Sequence, residues 1–342
     1  MRRVSYIGIA AGLLFGAVAA LAYSSQSYIA PTGPYEVTTG NISLNTRRGT
    51  FPIRLWSPIA SATPSPLIIY APGWGNKADD SASLMRELAS HGYVIAAYDD
   101  LIHDDGIGTE SRQSFEDRHG KVGFDDPAAY DASAKLAGRR VANAADKGEA
   151  ILDALLADPE LSASIDADRI ASVGYSFGGA TGVEQALSDR RIRAVVNLDG
   201  WLFGVSQSMP EIPYLLISVP ENFPPISWAT EVEPWKVAAY KGALHDQTLH
   251  SKLLGKDSFV WLKAEGVTHA DLNDQSLKCT WIKRLLEKDA CNLAILQFKS
   301  AQFSTIRMFL DNSLKTEGNP DFVWERSLPE GLSPVRRVNL LL

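Results

Sequence analysis

Residues 174–178 read Gly-Tyr-Ser-Phe-Gly, a G-x-S-x-G pattern. Immediately before them runs Arg169-Ile170-Ala171-Ser172-Val173, a short apolar strand candidate. Immediately after them runs Gly179-Ala180-Thr181-Gly182-Val183-Glu184-Gln185-Ala186-Leu187, which reads as the start of a helix. Strand, sharp turn, helix is the context of a nucleophile elbow, in which a serine hydroxyl is held out above a sheet. The turn is so tight that residues flanking the serine must be small, and glycine lets the backbone double back without a Cβ clash. The bare pattern is common in chains of this length; the strand before it and the helix after it are what make it specific.

The remaining pattern fits that beginning. Residues 35–44 and 50–56 predict two antiparallel strands joined by a turn over 45–49. Pro66-Leu67-Ile68-Ile69-Tyr70 is an unbroken apolar run, as expected of a buried strand. The Gly-rich loop Ala71-Pro72-Gly73-Trp74-Gly75-Asn76 follows it. Residues 80–91 predict a helix stopped by Gly92, and 93–98 another buried strand ending in Asp99-Asp100. The polar, acidic stretch 101–130 is too long for a simple connection and predicts the mouth of a site. A helix is expected over 138–157, strands over 192–198, 213–219 and 258–263, a helical cap insertion around 222–256, and a closing helix over 303–314. Strands alternating with helices imply an α/β fold, a mostly parallel central sheet with helices on both faces. Ligands of such sheets bind beyond the carboxyl ends of the strands. Gly73-Trp74-Gly75, Ser176, Asp199 and His269 all fall just past strand ends.

The chain has 342 residues, 45% of them apolar and 21% charged, enough for a large buried core. Its net charge of −7 argues against nucleic acid as a partner, since phosphate binding needs a basic surface. Arg2 and Arg3 precede an uncharged, mostly apolar run over residues 6–23, and Ala20-Leu21-Ala22 fits a small-x-small cleavage pattern. Residues 1–23 therefore read as a signal peptide, or as an anchor if uncleaved. Either implies an exported domain, periplasmic or secreted, with any membrane contact made through this segment. Residues 24–34 read as a linker, 35–320 as one catalytic domain and 321–342 as a tail. Cys279 and Cys291 are the two cysteines. In an exported domain they could form a disulfide; the alternative is two free thiols. With no histidines close by in sequence, they do not read as a zinc site.

A serine hydroxyl is a poor nucleophile at neutral pH and needs an adjacent base, itself oriented by a third group. In α/β-hydrolases these occur in the order serine, acid, histidine. His91, His103 and His119 precede Ser176, and His245 and His250 lie in the insertion. His269, beyond the last main strand, is the candidate base. Two carboxylates compete as the acid: Asp199, after the first strand beyond the elbow, and Glu221, after the second. The pattern alone leaves both open. Phe177, following the nucleophile, and Trp74, in the Gly-rich loop, are the candidate backbone donors of an oxyanion hole. No metal or organic cofactor is required by this set.

At these residues the chain resembles the platelet-activating-factor acetylhydrolase family of the plasma, lipoprotein-associated phospholipase type. The similarity is carried by 172–181, with its Ser-Phe-Gly-Gly-Ala-Thr core, by the helix-to-strand segment 88–97, and by Asn197-Leu198-Asp199-Gly200-Trp201-Leu202-Phe203. The resemblance implies the α/β-hydrolase fold, Asp199 rather than Glu221 as the acid, His269 as base, and a small ester or lipid as substrate. Two departures stand out. This chain has Tyr175 where the family usually has histidine before the nucleophile, and Pro72-Gly73 where it usually has histidine-glycine. Trp74, Trp201, Phe203 and Trp228 suggest apolar walls. A peptidase, a lactone hydrolase or an inactive hydrolase-like binding protein remain the rival expectations, since fold does not fix function.

Overall fold

A computed structural model describes residues 29–60, 63–100, 123–203, 208–277, 293–315 and 328–341. The N-terminal segment 1–23 and the pair Cys279/Cys291 lie outside the described residues. The main strands are β1 (Val37–Thr46), β2 (Gly49–Pro58), β3 (Ser65–Ala71), β4 (Val94–Tyr98), β5 (Ile165–Tyr175), β6 (Ile192–Leu198), β7 (Tyr214–Ser218), β8 (Phe259–Ala264) and β9 (Leu332–Pro334). The main helices are α1 (Ala82–Ser90), α2 (Pro127–Ala157), α3 (Phe177–Ser188), α4 (Pro234–Ser251) and α5 (Leu293–Leu314).

The strands form one sheet in the order β1-β2-β4-β3-β5-β6-β7-β8-β9. From β4 through β8 every neighbouring pair is parallel, and β2 and β9 join antiparallel at either side. The central strands β3, β4 and β7 are buried along their whole length. That explains their unbroken apolar composition: strands covered on both faces lose the alternation of a half-solvated sheet. The β1–β2 hairpin at the edge keeps it, with most β1 side chains exposed. Two cores result. Leu84, Met85 and Leu88 of α1 and Phe303, Ile306 and Phe309 of α5 cover one face. Val141, Ile151 and Leu155 of α2 with Phe177, Ala180 and Val183 of α3 cover the other.

Three elements differ from expectation. α2 begins eleven residues earlier than its apolar periodicity suggested, at Pro127. Asp126 caps it, its carboxylate accepting from Ala128 N and Ala129 N at 2.8 Å each, and proline occupies the first turn. The cap chemistry, not the apolar set, fixes this start. α5 likewise begins at Leu293 rather than 303. Residues 332–334, read as tail, pair with β8 as a short edge strand ending in Pro334, a blunted edge that resists further pairing. The linker also touches the domain: Thr32 N and Thr32 Oγ1 donate to Glu87, and Gly33 N donates to Ser90 Oγ.

Where β3, β5 and α3 meet, backbone approaches backbone. A Cβ on Gly178 would lie 2.0 Å from Ala71 O, and one on Gly174 would lie 2.1 Å from Gly178 O. Neither contact can yield without moving α3 off the sheet. Gly178→Ala is expected to lower Tm by about 5–10 °C or to abolish soluble expression. Gly40→Ala, in open space on β1, should shift Tm by no more than about 1 °C. Equal melting of the two variants by circular dichroism would contradict this packing.

Candidate active site

β5 ends at Tyr175 and α3 begins at Phe177, so Ser176 alone turns the chain. Its φ of 55° and ψ of −121° are a conformation that non-glycine residues rarely adopt. The surroundings hold it there: Ser176 N donates to Leu198 O at 2.8 Å, and Ser176 O accepts from Gly179 N at 2.9 Å. One strand further along, Asp199 follows β6 with φ of 61°. Its N–H donates to Ile217 O at 2.8 Å, and Asn197 bonds both the N–H and the C=O of Gly200.

His269 joins the two. Its Nδ1 is 2.5 Å from Asp199 Oδ2 and its Nε2 is 2.9 Å from Ser176 Oγ. A carboxylate only accepts, so Nδ1 carries the proton and Nε2 presents a lone pair to the serine hydroxyl. Asp199 is 5% exposed. Its other oxygen accepts from Val219 N at 2.9 Å and Asn222 Nδ2 at 2.6 Å, which leaves Oδ2 for the imidazole. His269 stands at the head of a single 3-10 turn (His269–Leu272) whose capping box pairs Thr268 with Asp271. The Tyr175 ring lies tilted against the imidazole at 4.9 Å between centroids, and its hydroxyl donates to His269 O. Glu221 is exposed in the turn Pro220–Asn222; its neighbour Asn222 is the residue that reaches Asp199. Sequence reasoning missed Asn222 and the contact of Tyr175 with the imidazole. Asn222 sits one residue from the candidate it weighed, but nothing in the sequence gives the direction of its amide.

The Gly-rich loop lies beside the elbow, with the Trp74 and Phe177 rings edge to face at 5.0 Å. Carboxylates hold its backbone. Asp80 accepts from Gly73 N and Asn76 Nδ2, Asp100 from Gly75 N at 2.7 Å, and Asp99 from Ala78 N at 2.8 Å. Burial raises the pKa of Asp80, and its hydrogen bonds from Tyr70, Gly73 and Asn76 partly offset that. Phe177 is the first residue of α3, where an N–H has no intrahelical acceptor and the helix dipole favours negative charge.

The cap and the chain's last residues reach this site by a relay. Leu341 N donates to Gln247 Oε1 at 2.8 Å, and Gln247 Nε2 donates to Asn222 O at 2.7 Å. Asn222 in turn bonds Asp199. His250, one of two histidines of α4, is fully buried and bonds the Tyr214 hydroxyl at 2.8 Å. Trp201 and Phe203 pack with Tyr130, Ala134 and Ala238, and Trp228 pairs with Trp235 on the cap. Among the described residues no group of three or more His, Cys, Asp or Glu side chains could hold a metal ion. None of the described helices is long and apolar enough to cross a membrane.

Residues 130–233 match the family described as platelet-activating factor acetylhydrolase, isoform II. The platelet-activating factor acetylhydrolase of Cavia porcellus is 27% identical over 223 residues, covering 57% of this chain and 50% of that protein. The one of Bos taurus is 30% identical over 174 residues, 42% of this chain and 37% of that protein. A solved ferulic acid esterase from Streptomyces cinnamoneus superposes with a TM-score of 0.59 at 18% identity, covering 92% of this chain and all of that one. The fold is that of the α/β-hydrolases. The chain spans about half the length of the Cavia porcellus relative that it matches.

Behind the Gly-rich loop lies a buried charge cluster. Lys299 of α5 is fully buried and donates to Gln302 Oε1 at 3.2 Å. Burial pushes its pKa down to about 8, with Asp274, Asp271 and Asp80 opposing the shift. Asp274 accepts from Ser83 N in the first turn of α1, and burial raises its pKa. A lysine titrating near 8 when folded and near 10.5 when unfolded binds fewer protons in the folded state between those values. Stability therefore rises with pH across that window, by up to about 2 kcal/mol between pH 8 and 10. Lys299→Met should remove that rise in urea melts taken at pH 8, 9 and 10. An unchanged rise would assign it to other groups.

Proposed function

We propose that this protein is a serine hydrolase that cleaves carboxylic esters through an acyl-enzyme. The single observation that carries the proposal is the imidazole of His269, within 2.5 Å of Asp199 and 2.9 Å of Ser176. Ser176 Oγ attacks the ester carbonyl carbon while His269 Nε2 takes its proton. The tetrahedral oxyanion is received by the N–H groups of Phe177 and Trp74. As it collapses, the C–O bond to the alcohol breaks and His269 returns the proton to that oxygen. Water, deprotonated by His269, then attacks the acyl carbon, releasing the acid and restoring Ser176. Asp199 holds the Nδ1–H tautomer and stabilises the imidazolium. Similarity to platelet-activating factor acetylhydrolases supports an ester or lipid substrate. Tyr175, in place of the histidine usual in that family, changes the wall beside the base. We propose further that residues 1–23 export the domain and are removed; an N-terminal mass of the mature protein beginning near residue 23 supports this, and an intact Met1 refutes it.

Hydrolysis of p-nitrophenyl acetate, butyrate and octanoate tests the reaction. Ser176→Ala should fall to background. Asp199→Asn should lower kcat by about 10⁴-fold, as expected when the tautomer is lost. Glu221→Gln should stay within about twofold, being exposed. A collapse with Glu221→Gln and not with Asp199→Asn would move the acid, and inactivity on all three esters would favour a peptidase or an inert binder. Asn222→Ala, removing one of two donors to Asp199 Oδ1, should lower kcat by about tenfold.

A further inference from the structure

Arg140 lies midway along α2 with its side chain 4% exposed. Its guanidinium carbon sits 4.0 Å from the centroid of the Trp74 ring and 5.4 Å from that of Phe177. The two rings themselves meet edge to face. One Nη2 lies 3.5 Å from Asp100 Oδ2, the same oxygen that accepts the Gly75 N–H. A single buried cation thus touches the side chains of both residues that supply the candidate oxyanion donors, and it pairs with the carboxylate that holds the loop between them.

We propose that Arg140 is a positioning residue for the oxyanion hole, resting on the reading above that Trp74 and Phe177 supply its two N–H groups. Trp74 belongs to a loop after β3 and Phe177 to the start of α3, so no ladder or helix hydrogen bond fixes the spacing between them. The guanidinium, within cation–π distance of both rings, couples them. Asp80, Asp99 and Asp100 hold the loop through its N–H groups, and their field opposes a developing oxyanion. A guanidinium stays protonated across the working range of pH. Held in a poorly solvated place, its charge offsets that field where it counts most. A group acting this way affects the transition state and leaves ground-state binding nearly untouched.

The test measures kcat, KM and the affinity for a trifluoromethyl ketone, which captures Ser176 as a tetrahedral oxyanion. Arg140→Met, which keeps the length and loses the charge, should lower kcat by about thirtyfold and weaken the ketone by about the same factor. KM should stay within about twofold and the near-ultraviolet circular dichroism should be unchanged. Arg140→Lys keeps a charge without the broad guanidinium face and should lower kcat by about fivefold to tenfold. It also decides the matter if Arg140→Met does not fold. A raised KM with kcat and ketone affinity within about twofold of the parent, in whichever variant folds, overturns the proposal and makes Arg140 a packing or substrate-wall residue. Ser176→Ala runs beside them: if it keeps full activity, the ester-hydrolase reading itself fails, an outcome separate from any result at Arg140.

Discussion

The close approach of α3 to the end of β3 is the constraint from which the site follows. With Gly178 pressed against the Ala71 carbonyl and Gly174 against Gly178, the chain has one residue in which to reverse direction. Ser176 takes the whole turn at a φ of 55°, a strain that persists because its surroundings over-determine it. That turn aims the hydroxyl off the sheet edge and puts Phe177 N–H at the head of a helix. The parallel order β5-β6-β7-β8 then delivers the Asp199 and His269 loops to the same edge. Ser176, Asp199 and His269 follow β5, β6 and β8, with only β7 between the last two, so the three loops open on one edge of one sheet.

Carboxylates organise the irregular backbone around this edge. Asp80, Asp99 and Asp100 bind the N–H groups of the Gly-rich loop, Asp199 that of Val219, and Asp274 that of Ser83. Each replaces a ladder or helix bond that the local conformation cannot make. Part of the acidic excess of the chain is therefore architectural, which differs from an acidic surface that steers cations. Arg140, Lys147 and Lys299, all buried, are cations set among these groups.

What was legible in the sequence follows from range. The elbow, the buried strands and the helix of residues 82–90 are written in local pattern, so the turn at Ser176 and the run Leu67-Ile68-Ile69 could be read directly. The early start of α2 was legible in principle, in Asp126-Pro127, but Tyr130 is the one buried side chain of its first turn, and a single apolar residue makes no periodicity. The choice between Asp199 and Glu221 was open to the residues themselves because each follows a strand. It depends on which side chain turns inward, and that is set by Val219 N–H and the Asn222 amide, two partners more than nineteen positions away from Asp199. Arg140 lies thirty-seven positions from Phe177 and sixty-six from Trp74; no one-dimensional signal marks a guanidinium that reaches across such gaps.

The relay from Leu341 through Gln247 and Asn222 to Asp199 gives the far end of the chain an unusual standing. Backbone at position 341 is three hydrogen bonds from the carboxylate that faces His269. An affinity tag fused behind it, or a trimmed end chosen to help crystals grow, is thus an edit to the scaffold of Asp199.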